Sequence, residues 1–478
     1  MRAIENLPSV LPSDTSWWFE DALKAERGQS ASVPLVGELS VDVAIVGGGY
    51  TGLWTAIALK QRKPTLTVAL IEASLCGSGA SGANGGKVHG YWASLQHMVE
   101  SMGEDAALAV ARAGARAQDA IRAFATTPGR DVGWREGGSI RISAAPAQDR
   151  KLDGYTSLAR RLGVADTVIA LTSAQIAEHC RSPAFRAGVF FPEGANVHPA
   201  RLARALRIAA IEAGVSVFEQ SPMISLDKGA PNRVKTPRGQ IIAHDVVLAT
   251  NADLAVEPEV KPHVSVFSTY ALMTEPAPER LREIGWTGDE GLADLRMFLH
   301  YFRTTPEGRV LMGSGSGPIS YGGNTSDPRL RKDNASAGRA ERGLRRLLPA
   351  LADVTVARAW GGPLDISADH LPFFRTMPGT RVHYGCGYSG HGVNPTYIGG
   401  QCLASLVLGV KDEWSTLPLC TRALPRLPPD PFRTYGARAI RWAILSCEEA
   451  EEDERQGSLL AKSLAVLPRL FGLRIGTR

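Results

Sequence analysis

Residues 41–60 read VDVAIVGGGYTGLWTAIALK, and their first six decide how the rest is read. A β-branched apolar run such as VDVAIV suits a strand buried on both faces. It leads directly into Gly47-x-Gly49-x-x-Gly52 and then into LWTAIALKQR, whose apolar spacing is helical. LTVALIE at 66–72 supplies a second strand. Strand, glycine turn, helix and strand together have the length of a parallel βαβ unit. In such a turn Gly47 permits the sharp bend, Gly49 lets the backbone approach a pyrophosphate, and Gly52 lets the helix pack closely on the strand. Tyr50 and Thr51 stand at the helix N-terminus, where free N–H groups and the helix dipole favour an anion. Glu72, followed by Ala73, comes twenty residues after Gly52. An acid there accepts from the two ribose hydroxyls and repels a 2′-phosphate, so FAD or NAD is expected rather than NADP.

A second glycine-rich stretch, GSGASGANGGK at 77–87, begins five residues after Glu72. A linker uses such a composition only for flexibility. A flavin dinucleotide extended across a domain instead needs several places where backbone lies against it. GCGYSGHGVN at 385–394 is a further glycine loop between a strand and a helix. The pair of loops favours FAD, and there is no second βαβ unit with a GxGxxG turn and a closing acid for a nicotinamide.

Composition narrows the class. A chain of 478 residues is expected to form two or three domains. Hydrophobic content of 44% and charged content of 21% are ordinary for a globular protein. The net charge is +5, with arginines scattered rather than arrayed in the stripe that nucleic acid requires. None of the six cysteines forms a CxxC pair, so neither a disulfide framework nor a metal site is expected, and a reducing cytoplasm fits. No run approaches the roughly 20 apolar residues of a membrane span, and the N-terminus lacks a secretory apolar stretch.

Along the chain, SDTSWWFEDALKAE predicts a short helix whose Trp17 and Trp18 pack on the core. Helices are expected over 98–125, 198–214 and 340–351, and a hairpin or strand over 134–143. A hairpin from 233 leads into the apolar strand Val246–Ala249, and residues 262–322 alternate as an antiparallel sheet. The Pro-rich stretch at 418–432 precedes helix, and the acidic run at 448–454 reads as a solvated helix face.

Six segments occur in a telling order between about 40 and 410: VDVAIVGGGYTGLWTAIALK, LIEASLCGSGASGANGGK, GANVHPARLARAL, DVVLATNA, GGPLDISADHLPFF and GYSGHGVNPTYIGG. This order resembles the FAD-dependent D-amino-acid oxidase (DAO) superfamily, and within it the glycine oxidase, sarcosine oxidase and γ-glutamylputrescine oxidoreductase type of amine oxidase. The resemblance implies an α/β fold: a Rossmann-like FAD-binding domain joined to a substrate domain whose antiparallel sheet roofs the flavin. The FAD-binding domain would comprise 41–95, 190–262 and 352–410, and the substrate domain 96–189 and 263–351. Residues 1–40 would be an N-terminal extension and 411–478 a C-terminal helical one. Ser81, Asn84, Gly85, Gly86 and Lys87 would lie along the pyrophosphate and flavin ring. Met223 would contact the adenosine part through its backbone, and Thr250 and Asn251 would close over the dinucleotide. Gly387, Tyr388, Gly390, His391, Gly392 and Val393 would line the pyrimidine edge.

The pattern also departs from the family. Where some relatives attach FAD through a cysteine, this chain has Gly362, which implies non-covalent FAD. Asn394 replaces the lysine with which sarcosine-oxidase relatives hold a substrate carboxylate, and Lys87 stands where they have an arginine. WGGPLDIS contains no basic residue where glycine-type and D-amino-acid oxidases are expected to carry an arginine. The carboxylate clamp is therefore not intact.

The chemistry implied is dehydrogenation of a neutral primary or secondary amine, with a hydride leaving the carbon beside nitrogen for flavin N5. The imine then hydrolyses, and O2 takes the electrons to give H2O2. Candidate substrates are γ-glutamyl-polyamine-like compounds, N-methylated amino acids and aminophosphonates. Catalytic candidates are Lys87, His391, Tyr301, Arg303 and His300. In LHYFR, His300 and Phe302 share one strand face and Tyr301 and Arg303 the other. Tyr301 with Arg303 would suit an acidic substrate tail, or else a hairpin salt bridge. His391 would polarise the flavin or bond backbone, and Lys87 would be an ion partner or a surface lysine. Two other classes share the motifs: a dehydrogenase delivering electrons to a quinone or carrier, and a subunit that holds FAD without turnover.

Overall fold

The computed structural model describes residues 7–26 and 33–470. The apolar run quoted first becomes the inner part of strand Gly37–Val46, whose last four residues are all buried. It lies between two parallel neighbours, Val68–Ile71 and Gly239–Leu248, within an eight-stranded sheet. Ser216–Phe218 extends this sheet at one edge, and Val382–Cys386 adds in parallel beyond Gly239–Leu248. Helix Tyr50–Arg62 covers one face. It packs against helix Pro395–Leu408 so closely that a Cβ on Gly400 would lie 2.5 Å from Trp54 Cβ. Helix Pro199–Glu212 begins at His198, whose Nδ1 accepts from Arg201 N–H at 3.2 Å, and stops before Gly214 at φ +86°.

A nine-stranded sheet stands opposite. In order it comprises Pro12–Ser13, Val356–Ser367, Val264–Thr274, Val310–Ser314, His300–Thr304, Gly291–Asp294, Ser139–Ser143, Ala187–Phe191 and Ile169–Thr172. It is antiparallel except at two junctions, Pro12–Ser13 on Val356–Ser367 and Gly291–Asp294 on Ser139–Ser143. Its two faces separate cleanly. Ile140, Ile142, Tyr270, Leu272, Leu292, Phe302, Val310 and Met312 enter one apolar cluster with helix Asn334–Leu347. The alternate residues, among them Arg141, Ala293, Tyr301, Leu311, Ala271 and Trp360, face the glycine loops.

Several expectations change here. Sequence reading groups 352–410 with the FAD-binding segments, but Val356–Ser367 is a long strand of the roof. The described part of 1–40 is no appendage. Pro12–Ser13 joins the roof, and Trp18, 2% exposed, packs with Trp360 and Leu311. The stretch 134–143 divides between two sheets: Arg135–Glu136 pairs with Ala195–Asn196, while Ser139–Ser143 enters the roof. The helix expected over 98–125 is two helices, broken at Gly103 with φ +84°. The acidic run is not simply solvated. Glu448 and Glu452 in helix Phe432–Glu452 both bind Arg296, which is 5% exposed. No helix among the described residues is long and apolar enough to cross a membrane.

Candidate active site

Gly47 leaves its strand at φ +110°, a conformation open in practice to glycine alone. A Cβ there would lie 2.5 Å from the Ala249 carbonyl oxygen, and one on Gly52 would lie 2.0 Å from the Gly47 carbonyl oxygen. Packing therefore fixes both residues. Gly49 differs, because the only atom near its Cβ position is Ser81 Oγ at 3.0 Å. That hydroxyl accepts Tyr50 N–H at 2.9 Å, so the second glycine loop folds over the start of helix Tyr50–Arg62. Other N–H groups of the first turn lack an intrahelical acceptor and point along the axis.

Glu72 accepts from Gly48 N–H at 2.8 Å and from Ser74 N–H at 3.0 Å. Burial raises its carboxyl despite these donors. Each oxygen keeps a lone pair for a ribose hydroxyl. Ala73 beside it is exposed. Ser221 N–H donates to the Glu72 carbonyl at 2.8 Å, which brings Met223 to this end of the sheet. Thr250 N lies 3.4 Å from the Gly47 Cβ position, and Asn251 turns the chain at φ +53°.

The second loop is held on every side. Ser16 Oγ donates to the Gly82 carbonyl at 2.7 Å. Asn84 donates to the Ser81 carbonyl at 2.8 Å and accepts Gly86 N–H at 2.7 Å. The Tyr301 ring lies against Gly85 and Gly313, where a Cβ would come within 2.7 and 2.0 Å of it. The third loop turns through left-handed residues at Gly387, Ser389 and Gly390. Asp365, on the roof strand Val356–Ser367, accepts Gly387 N–H on its carboxyl and Ser389 N–H on its carbonyl. The Tyr388 hydroxyl lies 2.7 Å from Thr51 Oγ1, joining this loop to the dinucleotide helix. Val393 is 7% exposed and packs beneath it.

Strand Val356–Ser367 shows what fits between the loops. Trp360, Gly362 and Leu364 share one face. Trp360 Nε1 donates to the Ala83 carbonyl of the second loop at 2.8 Å. Leu364 Cδ1 lies 3.5 Å from the Gly390 Cβ position in the third loop. Between them, a Cβ on Gly362 would meet nothing within 4 Å, and neither would one on Gly392. Open space at Gly362 thus lies between the second and third glycine loops, with N–H groups at Gly49–Thr51 and the acid Glu72 in the same domain. The residues present therefore suit FAD.

The sequence from 42 to 406 matches the DAO family, described as FAD dependent oxidoreductase. This chain belongs to that family. Among its DAO relatives, γ-glutamylputrescine oxidoreductase of Escherichia coli K12 is 29% identical over 406 residues, covering 84% of this chain and 90% of its own. The probable oxidoreductase OrdL of Rhizobium meliloti strain 1021 is 29% identical over 439 residues, covering 90% and 95%. The crystal structure of glycine oxidase from Geobacillus kaustophilus superposes with a TM-score of 0.65 at 22% identity, covering 81% of this chain and all of that one. As a DAO member the protein is an FAD-dependent oxidoreductase acting on amine-type substrates.

Two catalytic candidates have other tasks in this DAO fold. His300 faces away from the loops, with Nδ1 2.9 Å from Asp294 Oδ2 and its ring against Gly343. Arg303 does face them, but it donates Nε to the Gly85 carbonyl at 2.7 Å and Nη2 to the Val197 carbonyl at 2.6 Å. Its guanidinium also lies over the Trp18 ring at 4.8 Å. Burial, with Arg135 nearby, pushes it down to about 9. It braces the second loop, and its forked donors point into protein rather than toward an acidic tail.

Lys87 and His391 lie near one another beside the loops, while the Tyr301 ring covers Gly85. Lys87 Nζ donates to the Leu292 carbonyl at 3.0 Å, and burial beside Arg141 and Arg303 pushes its ammonium well below the usual range. The His391 and His89 rings meet edge-on with centroids 5.9 Å apart. Burial, together with each other's nearness or that of Arg141 and Lys87, presses both imidazoles down to about 3. Asn394 anchors the loop, donating to the Gly114 carbonyl at 3.0 Å and to Gln118 Oε1 at 2.9 Å.

His89, Gln118, Arg141 and Asp365 are the residues that sequence reading passed over. Strand alternation in SIRIS marks Ser139, Arg141 and Ser143 as one polar face. Nothing local marks Gln118, which sits in an Ala-rich helix and donates to the carbonyls of Val88 and Glu193.

Proposed function

We propose that the protein oxidises the CH–NH bond of a primary or secondary amine carrying an acidic end, with O2 as electron acceptor and H2O2 as product. The observation that carries this reading is the electrostatics beside the third loop. His89, His391 and Lys87 are all held toward their neutral forms. The same environment favours the neutral form of an entering amine, the form whose lone pair can drive loss of a hydride. FAD, when bound, supplies the hydride acceptor and the route for electrons to O2.

The chain's own part is placement. The N–H groups at Gly49–Thr51 would receive the pyrophosphate and Glu72 the ribose. The turn 387–392 and the start of helix Pro395–Leu408 would present N–H groups to negative charge at the pyrimidine edge. A glycine at 362 offers no thiolate, in keeping with non-covalent FAD. Neutral His89 and His391 would orient the amine by hydrogen bonding, so no charged general base is needed. The Escherichia coli relative is named for γ-glutamylputrescine, an amine with a distant acid, which supports this substrate class. The six cysteines are free thiols, which suits a reducing cytoplasm.

A panel of γ-glutamyl amines, N-methyl amino acids and aminophosphonates, mixed anaerobically with the holoenzyme, tests this reading. At least one class is expected to abolish flavin absorbance, and air should then return one H2O2 per amine oxidised. Reduction only by alcohols or NAD(P)H would overturn the amine assignment. Reduction without H2O2 under air would transfer the acceptor role to a quinone or carrier.

A further inference from the structure

The family match begins at residue 42, yet the chain before it is built into the cofactor side of the fold. Ser16 caps helix Trp17–Ala25 by accepting Phe19 N–H at 3.0 Å. The same buried hydroxyl donates to the Gly82 carbonyl of the second glycine loop at 2.7 Å. One side chain thus starts the helix and ties it to the loop. The Phe19 ring closes on that loop as well: a Cβ on Gly82 would come 3.1 Å from Phe19 Cδ2, so the ring rests against bare backbone. Trp18 adds a contact through Arg303, whose guanidinium lies over the indole at 4.8 Å while its Nε holds the Gly85 carbonyl.

The helix is itself anchored on two sides. Asp21 Oδ2 lies 3.1 Å from His198 Nε2 and accepts from Arg201 Nη2 at 2.9 Å. Glu26 accepts from Arg204 Nε at 2.9 Å, and Arg204 Nη1 continues to the Cys76 carbonyl, one residue before the loop. Both acids therefore grip the first turns of helix Pro199–Glu212. On the other side, Pro12–Ser13 pairs with Val356–Ser367, and Trp360 of that strand holds the Ala83 carbonyl at 2.8 Å. The carbonyls of Gly82, Ala83 and Gly85 are thus all turned into protein. A carbonyl oxygen only accepts and repels a phosphate, so a loop that swung these oxygens outward would bind a dinucleotide poorly. Ser81 of the same loop takes Tyr50 N–H, so its movement is felt at the start of the dinucleotide helix.

We propose that residues 12–26 form a clasp that retains FAD, with Ser16, Trp18 and Phe19 as positioning residues for the second glycine loop. A dinucleotide between that loop and helix Tyr50–Arg62 leaves only when the loop lifts, and the loop lifts only when these contacts part. The clasp acts on release of the cofactor rather than on the chemistry. It is independent of which amine reduces the flavin and of what then takes the electrons. Because it lies before the family match, its contribution adds to that of the glycine motifs.

The test follows FAD rather than turnover. Holoenzyme is diluted far below its FAD dissociation constant, and release is read as a rise in flavin fluorescence. Melting temperatures of holoenzyme and apoprotein report folding alongside. Ser16→Ala is expected to release FAD about tenfold faster, the scale of one net hydrogen bond. Ser16→Thr keeps the hydroxyl and should stay within about twofold of the wild type. Phe19→Leu, which keeps the helix cap, should also speed release. Glu448→Leu is the control: it removes a contact of the C-terminal helix instead, and its release rate should not change. If Ser16→Ala is purified without FAD, titration of its apoprotein gives the affinity, expected to be about tenfold weaker. If it does not fold, Phe19→Leu decides by the same readout. Release at the wild-type rate from both Ser16→Ala and Phe19→Leu overturns the proposal. So does Glu448→Leu releasing FAD as fast as they do, since general loosening would then suffice.

Discussion

Asp365 is a carboxyl in a place that resists charge. Burial raises it to about 7, even though it accepts N–H groups from the turn at Gly387. The consequence for stability has a definite sign. Between its unfolded value near 3.8 and about 7, the folded protein holds a proton that the unfolded chain has lost. Stability from this group therefore falls as pH rises across that window, and the whole penalty is present above it. Asp365→Asn keeps an acceptor for the turn and removes the ionisation. Its stability advantage over the wild type should grow by about 3 kcal/mol between pH 5 and pH 8.5, seen as a widening gap in melting temperature. Thermal melts of the two proteins at both pH values check this, and a stability difference that does not change with pH would show that Asp365 is not the titrating group. Asp294 makes the contrast: also fully buried, it faces His300 and Arg296, and their attraction holds its carboxyl below the usual range against burial.

At the scale of elements, the glycine loops separate clearance inside the protein from clearance for a ligand. A Cβ on Gly52 would lie 2.0 Å from the Gly47 carbonyl oxygen, whereas one on Gly392 would meet no protein atom within 4 Å. Gly52→Ala should therefore lower the melting temperature of both apoprotein and holoenzyme, by several kcal/mol in stability. Gly392→Ala should leave the apoprotein unchanged and weaken FAD binding about tenfold, read by equilibrium dialysis. An unaltered FAD affinity in Gly392→Ala would remove the third loop from the ring site. This contrast also explains what was legible in the sequence. Strand, turn, helix and acid from Val41 to Glu72 are contiguous, and each residue's reason is local, so the reading met its structure. The roof is assembled from segments scattered between Pro12 and Ser367. Alternation shows which residues of SIRIS or LHYFR share a face, but not which strand lies alongside. So the split of Tyr301 and Arg303 from His300 was readable, while the nearness of Arg141 to Lys87 and His89 was not. Even where the face was right, the task was not: the Arg303 donors end on two carbonyls from segments distant in sequence.

For the whole molecule, helix Phe432–Glu452 lies beyond the family match at 42–406 yet fastens the roof. Its arginines reach backbone carbonyls of the roof and its loops: Arg433 to Val264, Arg438 to Ile319 and Arg441 to Ser316. Ala437 packs with Phe267 and Ile319 beside these contacts. At the other end, Glu448 Oε2 lies 3.3 Å from Arg296 Nε, while its Oε1 accepts Met297 N–H. Glu452 meets Arg296 at 2.6 Å and Arg346 at 2.8 Å. A run that looks like a solvated acidic face is thus half counter-ion, because the cations it neutralises come from a strand end and a helix distant in sequence. Removing one acid leaves Arg296 buried with only part of its compensation. Glu448→Leu should cost about 3 kcal/mol in urea unfolding. Arg296→Met combined with Glu448→Leu replaces the pair by apolar bulk and should recover most of that loss, ending within about 1 kcal/mol of the wild type. A single variant as stable as the wild type would mean that the C-terminal helix merely rests on the roof. A double variant no better than the single would assign the loss to the Met297 N–H left without its acceptor rather than to the uncompensated charge.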